Sequence, residues 1–226
     1  QGSSLVQRQL FLADYPGEGP FIEALLAALL EDGDAADSGE VVLASYNGRA
    51  FDLPLLRTRC VLNGLVFPEV LHLDLLHPAR RLWRKVYGGA SLGLLESAVL
   101  ARDRGSDIPG ALIPGLYFDF LKGADVPQMA QVLSHNAQDV YSLAALFAVF
   151  LGILAEPLAQ LARDDLDRAG LSALLFRAGR PAEGEALLRA AAEAGDEAAG
   201  IGLVRLLARA GRDAERAEAL GLLGGG

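Results

Sequence analysis

The sequence predicts an α/β fold followed by a smaller, all-helical region. Two short apolar runs, Val41–Tyr46 and Val70–Leu75, have the length and composition of strands, and each is followed by a segment with helical periodicity. Strands that alternate with helices are typical of α/β sandwiches. From about Pro157 strand-forming residues nearly vanish, while Ala, Leu, Arg and Glu dominate. We therefore expect two domains, at residues 1–155 and 156–226.

The N-terminal part of the chain is predicted to hold one strand and one helix. Leu5–Leu12 alternates in part between apolar and polar residues, which favours a strand exposed on one face. A helix is expected from Pro20, because the apolar residues after it recur every four positions, at Phe21, Leu25 and Leu29. The acidic, small-residue-rich Asp32–Glu40 then predicts a surface loop.

Further helices are predicted on both sides of the second apolar run. The apolar spacing indicates helices over Leu53–Leu62 and Ser91–Leu100. Ser106–Pro114 contains two prolines and a glycine, which favours a long loop. After Pro127 a strong helical pattern runs to about Ala155.

The composition predicts a cytoplasmic protein. The single cysteine, Cys60, excludes an internal disulfide and favours a reducing compartment. Gln1–Ser4 is polar and does not resemble the start of a secretory signal. The longest uncharged apolar run, Leu143–Ala155, is shorter than the ~20 residues that cross a bilayer. We therefore expect a buried helix there and no membrane partner.

A basic segment stands out in a chain whose net charge is −9. Arg80, Arg81, Arg84 and Lys85 lie within six residues of one another. The acidic net charge argues mildly against high-affinity nucleic-acid binding, because such proteins usually have a basic footprint. Metal-binding carboxylates, however, add negative charge that divalent ions neutralise. The segment is interpreted either as a solvated helix face or as a patch that binds a nucleic-acid backbone.

Asp52 is the first candidate site residue. The buried strand predicted at Val41–Tyr46 is followed by a turn at Asn47–Gly48, and Asp52 lies near the start of the next helix. A carboxylate just beyond the end of a strand opens onto the cleft beside the sheet, where it suits a divalent cation. The same position also suits an ordinary helix-start residue before Pro54, and both interpretations stay open.

His135 and Asp139 form the second candidate pair. They are four residues apart in the helix after Pro127, so they share one helix face. A carboxylate there can bind a metal ion, while an imidazole one turn away can take a proton from a metal-bound water. A structural His–Asp pair on a partly buried helix is the alternative. A zinc site made of His72, His77 and His135 lacks a ligand-spacing signature.

Together these residues resemble the motifs of a known nuclease family. Asn-x-x-x-Phe-Asp ending at Asp52, and His-Asn-x-x-Asp-Val starting at His135, resemble the second and third exonuclease motifs of the DEDD superfamily of 3′–5′ exonucleases. The sequence between them narrows the resemblance to the YprB-type ribonuclease-H-like domain, over roughly Leu10 to Leu151. The segments that carry it are His72–His77, Arg80–Trp83, Ser91–Leu92 with Glu96, Asp107–Gly110, and Ile113–Pro114 with Tyr117.

The resemblance implies a ribonuclease-H-like mixed sheet flanked by helices. It also implies a 3′–5′ exonuclease that acts on a single-stranded DNA or RNA 3′ end with two Mg²⁺ or Mn²⁺ ions. Asp52 and Asp139 match the positions of metal ligands, and His135 matches the residue that orients or deprotonates the attacking water. Asn47 and Phe51 match positions that shape the nucleic-acid groove.

The chain departs from that family in the first motif. The family has Asp-x-Glu on its opening strand, where alternation places both carboxylates on one face. No Asp-x-Glu precedes Asp52, so we expect the first strands of the family to be missing from this chain. Nuclease activity is then expected to be impaired, because two carboxylates hold adjacent Mg²⁺ ions poorly. The resemblance also makes Asp74, at the end of the second central strand, a candidate for an auxiliary role.

A non-catalytic nucleic-acid- or protein-binding module is the alternative function. A small-molecule α/β enzyme is disfavoured, because the sequence has neither a Gly-x-Gly-x-x-Gly nor a Walker-type Gly-Lys-Ser/Thr motif. Metal binding distinguishes the nuclease from the binding module, since a catalytic site must bind Mg²⁺ or Mn²⁺ at Asp52 and Asp139.

An internal repeat marks the C-terminal region. Leu174–Glu183 returns as Leu206–Glu215, an offset of 32 residues (206 minus 174), close to the tetratricopeptide period of about 34. The glycine within Arg-Ala-Gly-Arg fits the turn between paired helices. Accidental similarity in an Ala/Leu-rich helical stretch is the alternative. We expect a small tetratricopeptide-like helical hairpin region over 156–226, which offers a surface for a protein partner.

Overall fold

The structure, a computed structural model, describes residues 6–31, 41–105 and 107–223. The chain divides into two compact units. The first comprises Gln1–Leu75 and Leu95–Leu146, and the second comprises Leu76–Leu94 and Phe147–Gly226. The domain boundary expected between residues 155 and 156 stays a prediction. The loop predicted at Asp32–Glu40 lies outside the described residues.

The described residues form ten α-helices and two β-strands. In chain order they are α1 (Glu18–Glu31), β1 (Val42–Ser45), α2 (Asp52–Leu62), β2 (Leu71–Asp74), α3 (Leu76–Tyr87), α4 (Leu92–Ala98), α5 (Ile113–Leu121), α6 (Met129–Ala155), α7 (Arg168–Arg177), α8 (Pro181–Glu193), α9 (Glu197–Arg209) and α10 (Asp213–Leu223). The predicted α/β fold with a helical C-terminal region is confirmed.

The sheet in the described residues is a parallel pair of strands, β1 and β2. Val42 lies opposite Leu71, and Ser45 lies opposite Asp74. The chain passes through α2 between them, since parallel neighbours need a crossover connection. Both predicted central strands are confirmed, each one residue shorter at either end. The expectation that β1 is buried is wrong, because Val42 is 53% exposed and the other three residues of the strand are only partly buried.

The strand predicted at Leu5–Leu12 is wrong over residues 6–12, which have no regular secondary structure. Instead, two side-chain amides tie this segment to backbone carbonyls of α6. Gln7 Nε2 donates to Ala137 O and Gln9 Nε2 donates to Leu133 O, each at 2.8 Å. A strand needs a neighbouring strand to satisfy its backbone, and none of the described residues supplies one here.

Two predicted boundaries also differ from the structure. α1 begins at Glu18, ahead of Pro20, after a turn in which Asp14 Oδ1 accepts a hydrogen bond from Gly17 N at 2.8 Å. The long loop predicted at Ser106–Pro114 ends early, in a 3-10 turn at Gly110–Leu112 followed directly by α5. Pro114 lies in the first turn of α5, where a missing N–H leaves no helical hydrogen bond unmade.

The second unit is helical, and its consecutive helices α7, α8, α9 and α10 pack against one another. Its core is made mainly of leucine and alanine, at Leu171, Leu175, Leu187, Ala191, Ala199, Leu203 and Leu207. The sequence repeat falls on equivalent turns: Gly179 precedes α8 and Gly211 precedes α10, with positive φ angles of 73° and 68°. Gly lacks a Cβ and adopts this conformation without strain.

α6 is long and apolar enough to cross a membrane by length and composition, with a mean hydropathy of 1.7 over its most apolar window. Core helices of soluble proteins have the same property. Such core helices are mostly buried, whereas only 22% of this window is buried, so the expectation of a buried helix over Leu143–Ala155 holds for one face only. The buried positions of α6 are Ser142, Leu146, Phe150 and Ile153, which follow one face of the helix.

Candidate functional site

The turn that follows β1 is held by a carboxylate from the neighbouring strand. Asp74 Oδ1 accepts a hydrogen bond from Asn47 N at 2.8 Å, and Asp74 Oδ2 accepts one from Arg49 N at 3.0 Å. Asn47 has a φ of 67°, which Asn tolerates better than most residues. A Cβ at Gly48 would lie 2.5 Å from Ser45 Oγ, so this turn has no room for a larger residue.

This turn presents Asn47, Phe51 and Asp52 to solvent. Phe51 is 70% exposed, and Asp52 is the first residue of α2. A carboxylate in the first turn also interacts favourably with the positive end of the helix dipole. Both interpretations of Asp52, as a ligand and as a helix-start residue, are compatible with its position. Asp74 is committed to the backbone of the turn, which makes its role one of positioning.

His135 and Asp139 lie one turn apart on α6, as their spacing predicts. His135 Nε2 is 3.5 Å from Asp139 Oδ2, and His135 Nδ1 is 2.7 Å from Asp107 Oδ2. The His135 side chain is 16% exposed and that of Asp139 is 37% exposed. The imidazole is therefore held between two carboxylates, and the more accessible of the two is Asp139.

Arg104 lies at the centre of these acidic groups. Its guanidinium forms ion pairs with Glu96, Asp107 and Asp139, and the one to Asp107 measures 3.0 Å. The hydrogen bond to Glu96, aided by those to Asp139 and Asp107, raises the pKa of Arg104 although burial opposes this. Glu96 is 1% exposed, and its Oε1 atom has no hydrogen-bond partner among the described residues.

The pKa of Asp107 reflects the same network. Burial opposes the ionisation of this carboxyl group, but hydrogen bonds from Arg104, His135 and the Ile108 backbone amide hold its pKa below the ordinary value. An Asp107 carboxylate that stays ionised keeps a negative charge beside His135 Nδ1. Nδ1 is therefore the ring nitrogen of His135 that lies closer to a carboxylate, because Nε2 is 3.5 Å from Asp139 Oδ2.

His135 and Asp139 also line an open cavity of about 640 Å³ in the first unit. Its remaining walls are mostly apolar and aromatic, and include Leu10, Phe11, Leu12, Phe21, Ile113, Pro114, Tyr117, Val132 and Leu133. The rings of Phe11 and Tyr117 meet edge to face at 6.0 Å, and Tyr117 Oη donates to Leu12 O at 2.9 Å. The cavity therefore has an apolar, aromatic wall beside a polar corner formed by His135 and Asp139.

Residues 4–151 match the RNase_H superfamily, which is about two thirds of the chain. The chain belongs to this superfamily. It is also 44% identical over 108 residues to the uncharacterized protein YprB of Bacillus subtilis (strain 168). The match covers 46% of this chain and 26% of that protein, so the chain spans about a quarter of its relative's length. No solved structure matches the chain.

Members of the RNase_H superfamily commonly use divalent metal ions, so the candidate ligands can be tested for fit. Within residues 6–31, 41–105 and 107–223, no group of three or more His, Cys, Asp or Glu side chains is arranged to hold a metal ion. One oxygen of Asp139 is paired with Arg104. The described carboxylates therefore do not fit a two-metal site.

The basic segment predicted to contact nucleic acid belongs to the second unit. Arg80, Arg81, Arg84 and Lys85 project from α3, and all four are exposed. They line a separate cavity of about 490 Å³. The three histidines of the zinc alternative have other partners or positions: His72 Nε2 is 2.8 Å from Ser45 Oγ, His135 is held by Asp107, and His77 is exposed on α3.

Sequence reasoning missed Arg104 as the centre of the network around Asp139. Two signals point to it. Glu96 is the one charged residue of the otherwise apolar α4, which requires a buried cationic partner. Four charged residues then crowd into the short segment between α4 and the next turn, at Arg102, Asp103, Arg104 and Asp107.

Proposed function

We propose that this domain acts on single-stranded DNA or RNA from the 3′ end, as a metal-dependent 3′–5′ exonuclease of the DEDD type. The observation that carries the proposal is the pairing of His135 with Asp139 at the polar corner of an aromatic-walled cavity, in a chain of the RNase_H superfamily. Bases stack on aromatic side chains without sequence preference, and Phe11 and Tyr117 offer such surfaces.

In this proposal each residue of the corner has a defined task. Asp107 orients His135 through Nδ1, and in this proposal Nε2, which lies 3.5 Å from Asp139 Oδ2, takes a proton from an attacking water. Asp139 supplies a carboxylate beside that imidazole. Asn47 and Phe51 do not line this cavity, and their proposed part is to shape the nucleic-acid groove from the exposed turn after β1. Asp139 would hold a divalent ion, Mg²⁺ or Mn²⁺, which would supply charge neutralisation at the phosphate.

We further propose that hydrolysis by this chain is slow. The described carboxylates do not fit two metal ions, the sequence has no Asp-x-Glu before Asp52, and Arg104 competes with a metal ion for Asp139. Mg²⁺ requires near-ideal octahedral oxygen coordination, so it loses more from an incomplete ligand set than a more tolerant ion does. Mn²⁺ is therefore the better ion for a first assay.

The test is degradation of a 5′-labelled single-stranded oligonucleotide with Mn²⁺. We expect slow laddering from the 3′ end that Asp139→Asn abolishes and that His135→Gln slows by about 10²–10⁴-fold. Asp119→Asn is the matched control, because Asp119 is an exposed helical aspartate whose side chain pairs, among the described residues, with Lys122 alone. Absence of cleavage in every protein would contradict the hydrolytic part of the proposal. Equal cleavage by Asp139→Asn would contradict the assigned site.

A second candidate function is a binding module that does not cleave nucleic acid. The ion pair between Arg104 and Asp139 favours it, since the chain provides its own cation where a nuclease needs a metal ion. Fluorescence anisotropy with the same oligonucleotide, measured with and without Mg²⁺, separates the two functions. A binding module binds the strand equally in both conditions and leaves it intact.

We also propose that α7–α10 form a tetratricopeptide-like tail that contacts a protein partner. Two equivalent ion pairs support the repeat: Arg180 Nη2 lies 2.6 Å from Glu183, and Arg212 Nη2 lies 2.5 Å from Glu215. Together with the positive-φ glycines before α8 and α10, they give both helix pairs the same turn. The matching contacts favour a repeated helix pair over accidental similarity.

A further inference from the structure

The basic cavity of the second unit has a rigid base. α3 is anchored by its opposite face, where Ala79, Leu82 and Trp83 are all fully buried. Asp167 N donates to Leu82 O at 2.7 Å, which fixes the start of α7 against α3. A Cβ at Gly170 would lie 2.0 Å from Arg81 O, so the two backbones approach as closely as glycine allows. The cationic side chains therefore project from an ordered platform.

The charges around this cavity are unbalanced. Lys85 Nζ lies 2.7 Å from Asp167 Oδ2, and that is the single ion pair among the residues that line it. Arg80, Arg81 and Arg84 have no hydrogen-bond or ion-pair partner for their side chains in the described part of the chain. Four cations face one carboxylate in a protein whose net charge is −9. Such local repulsion is relieved by an anion.

The spacing of these cations indicates an extended anion. Arg80 and Arg84 are one helical turn apart, and so are Arg81 and Lys85, which gives two adjacent rows along α3. Three of the four are arginines, whose planar guanidinium matches phosphate oxygens in a bidentate way. A ligand with regularly spaced phosphates satisfies both rows, whereas a single small anion satisfies only part of one.

We propose that this cavity binds the phosphodiester backbone of a single-stranded nucleic acid and anchors it without reading its sequence. This inference rests on the proposed function and adds a contact in the second unit to the candidate site in the first. Phosphate contacts of this kind fix position and supply most of the non-specific affinity.

The test is fluorescence anisotropy of the full chain with a labelled single-stranded oligonucleotide, in EDTA so that no cleavage occurs. The variant Arg80→Gln/Arg81→Gln/Arg84→Gln is compared with Arg177→Gln/Arg205→Gln/Arg209→Gln. The control removes the same charge from exposed helical arginines that lie outside both cavities. We expect the first triple variant to bind more weakly and the control to bind like the parent.

Salt dependence gives the expected size of the effect. Each phosphate contact to a single strand contributes about 0.7 to the slope of log K against log salt, so three lost contacts lower that slope by about 2. Raising the salt from ~50 to ~200 mM should therefore weaken the parent about 20-fold more than it weakens the variant. The control should keep the slope of the parent.

Three outcomes would overturn the inference, and they differ in what else they affect. If the parent binds and the Arg80/Arg81/Arg84 variant matches it in affinity and slope, the cavity is not the anchor, while the proposed function stands. If inorganic phosphate competes as well as the oligonucleotide per phosphate group, the cavity binds a small anion and not a backbone. If the parent binds no nucleic acid either in EDTA or with added Mg²⁺, the proposed function fails as well.

Discussion

Arg104 in the first unit and Arg80, Arg81 and Arg84 in the second carry the same guanidinium group in opposite surroundings. Arg104 is 16% exposed and ion-paired with three carboxylates. The three arginines of α3 are exposed, and their side chains have no partner among the described residues. The first arrangement satisfies a cation internally, and the second leaves cations available to a ligand.

A structural arginine therefore differs from a ligand-binding one in whether its guanidinium is already ion-paired within the protein, and not in residue type. Removing Arg104 leaves carboxylates buried and unpaired, which is expensive. Removing Arg80, Arg81 or Arg84 leaves no described side chain unpaired, and it reduces repulsion between neighbours of like charge. The consequences should therefore appear in stability for Arg104 and in binding for the α3 arginines.

Arg104→Gln should have the largest effect on stability. It leaves Glu96, which is 1% exposed, and Asp107 without their cation. Breaking a buried ion pair on one side costs about 3–5 kcal/mol. Urea unfolding monitored by circular dichroism measures this loss as a lower midpoint with an unchanged slope. Arg205→Gln, at an exposed position of α9, is the control and should change the unfolding free energy by less than about 0.5 kcal/mol.

Asp107→Asn should have a smaller and pH-dependent effect. The pKa of Asp107 is depressed in the folded protein, so its carboxylate contributes stability above the unfolded pKa of about 3.9 and loses it as the pH falls through the lower folded value. The variant should therefore be less stable than the parent at pH 7, and the gap should narrow below about pH 4. Unfolding curves at a series of pH values check this, and a constant gap would contradict it.

The smallest effect on stability is expected for the triple variant Arg80→Gln/Arg81→Gln/Arg84→Gln. Exposed side chains without partners contribute within about ±0.5 kcal/mol, and relief of repulsion acts in the stabilising direction. The thermal unfolding midpoint, measured beside that of Arg104→Gln, tests the contrast directly. A loss of several kcal/mol in the triple variant would show that these arginines support the fold, and the comparison would then fail.

Much of the fold could be predicted because its signals are local. α6 begins two residues after Pro127 and ends at Ala155, where the apolar pattern ends. The local sequence could not show whether residues 6–12 form a strand, because a strand forms only where a neighbouring strand completes its hydrogen bonds. α5 was missed because Pro114 was interpreted as a helix breaker, although proline is favoured in a first helical turn.

In the candidate site, too, the features set by local spacing could be predicted and those set by distant contacts could not. The i,i+4 spacing of His135 and Asp139 predicted their shared face on α6, and the structure places them 3.5 Å apart. The roles of Arg104 and Asp107 depend on a loop folding back onto α6, and no local pattern specifies that contact. The role of Asp74 likewise depends on the pairing of β1 with β2, which brings Asp74 to Asn47, 27 residues earlier in the chain.

The hydrogen bonds from Asn47 and Arg49 to Asp74 tie the site to the register of the sheet. Ser45 lies opposite Asp74 only in the native alignment, and a slip of one residue would turn the Asp74 side chain to the other face. The turn would then lose its acceptor, and Asn47, Phe51 and Asp52 would no longer be displayed together. A chain with mispaired strands therefore cannot present this surface, so correct folding is a precondition for recognition at this turn.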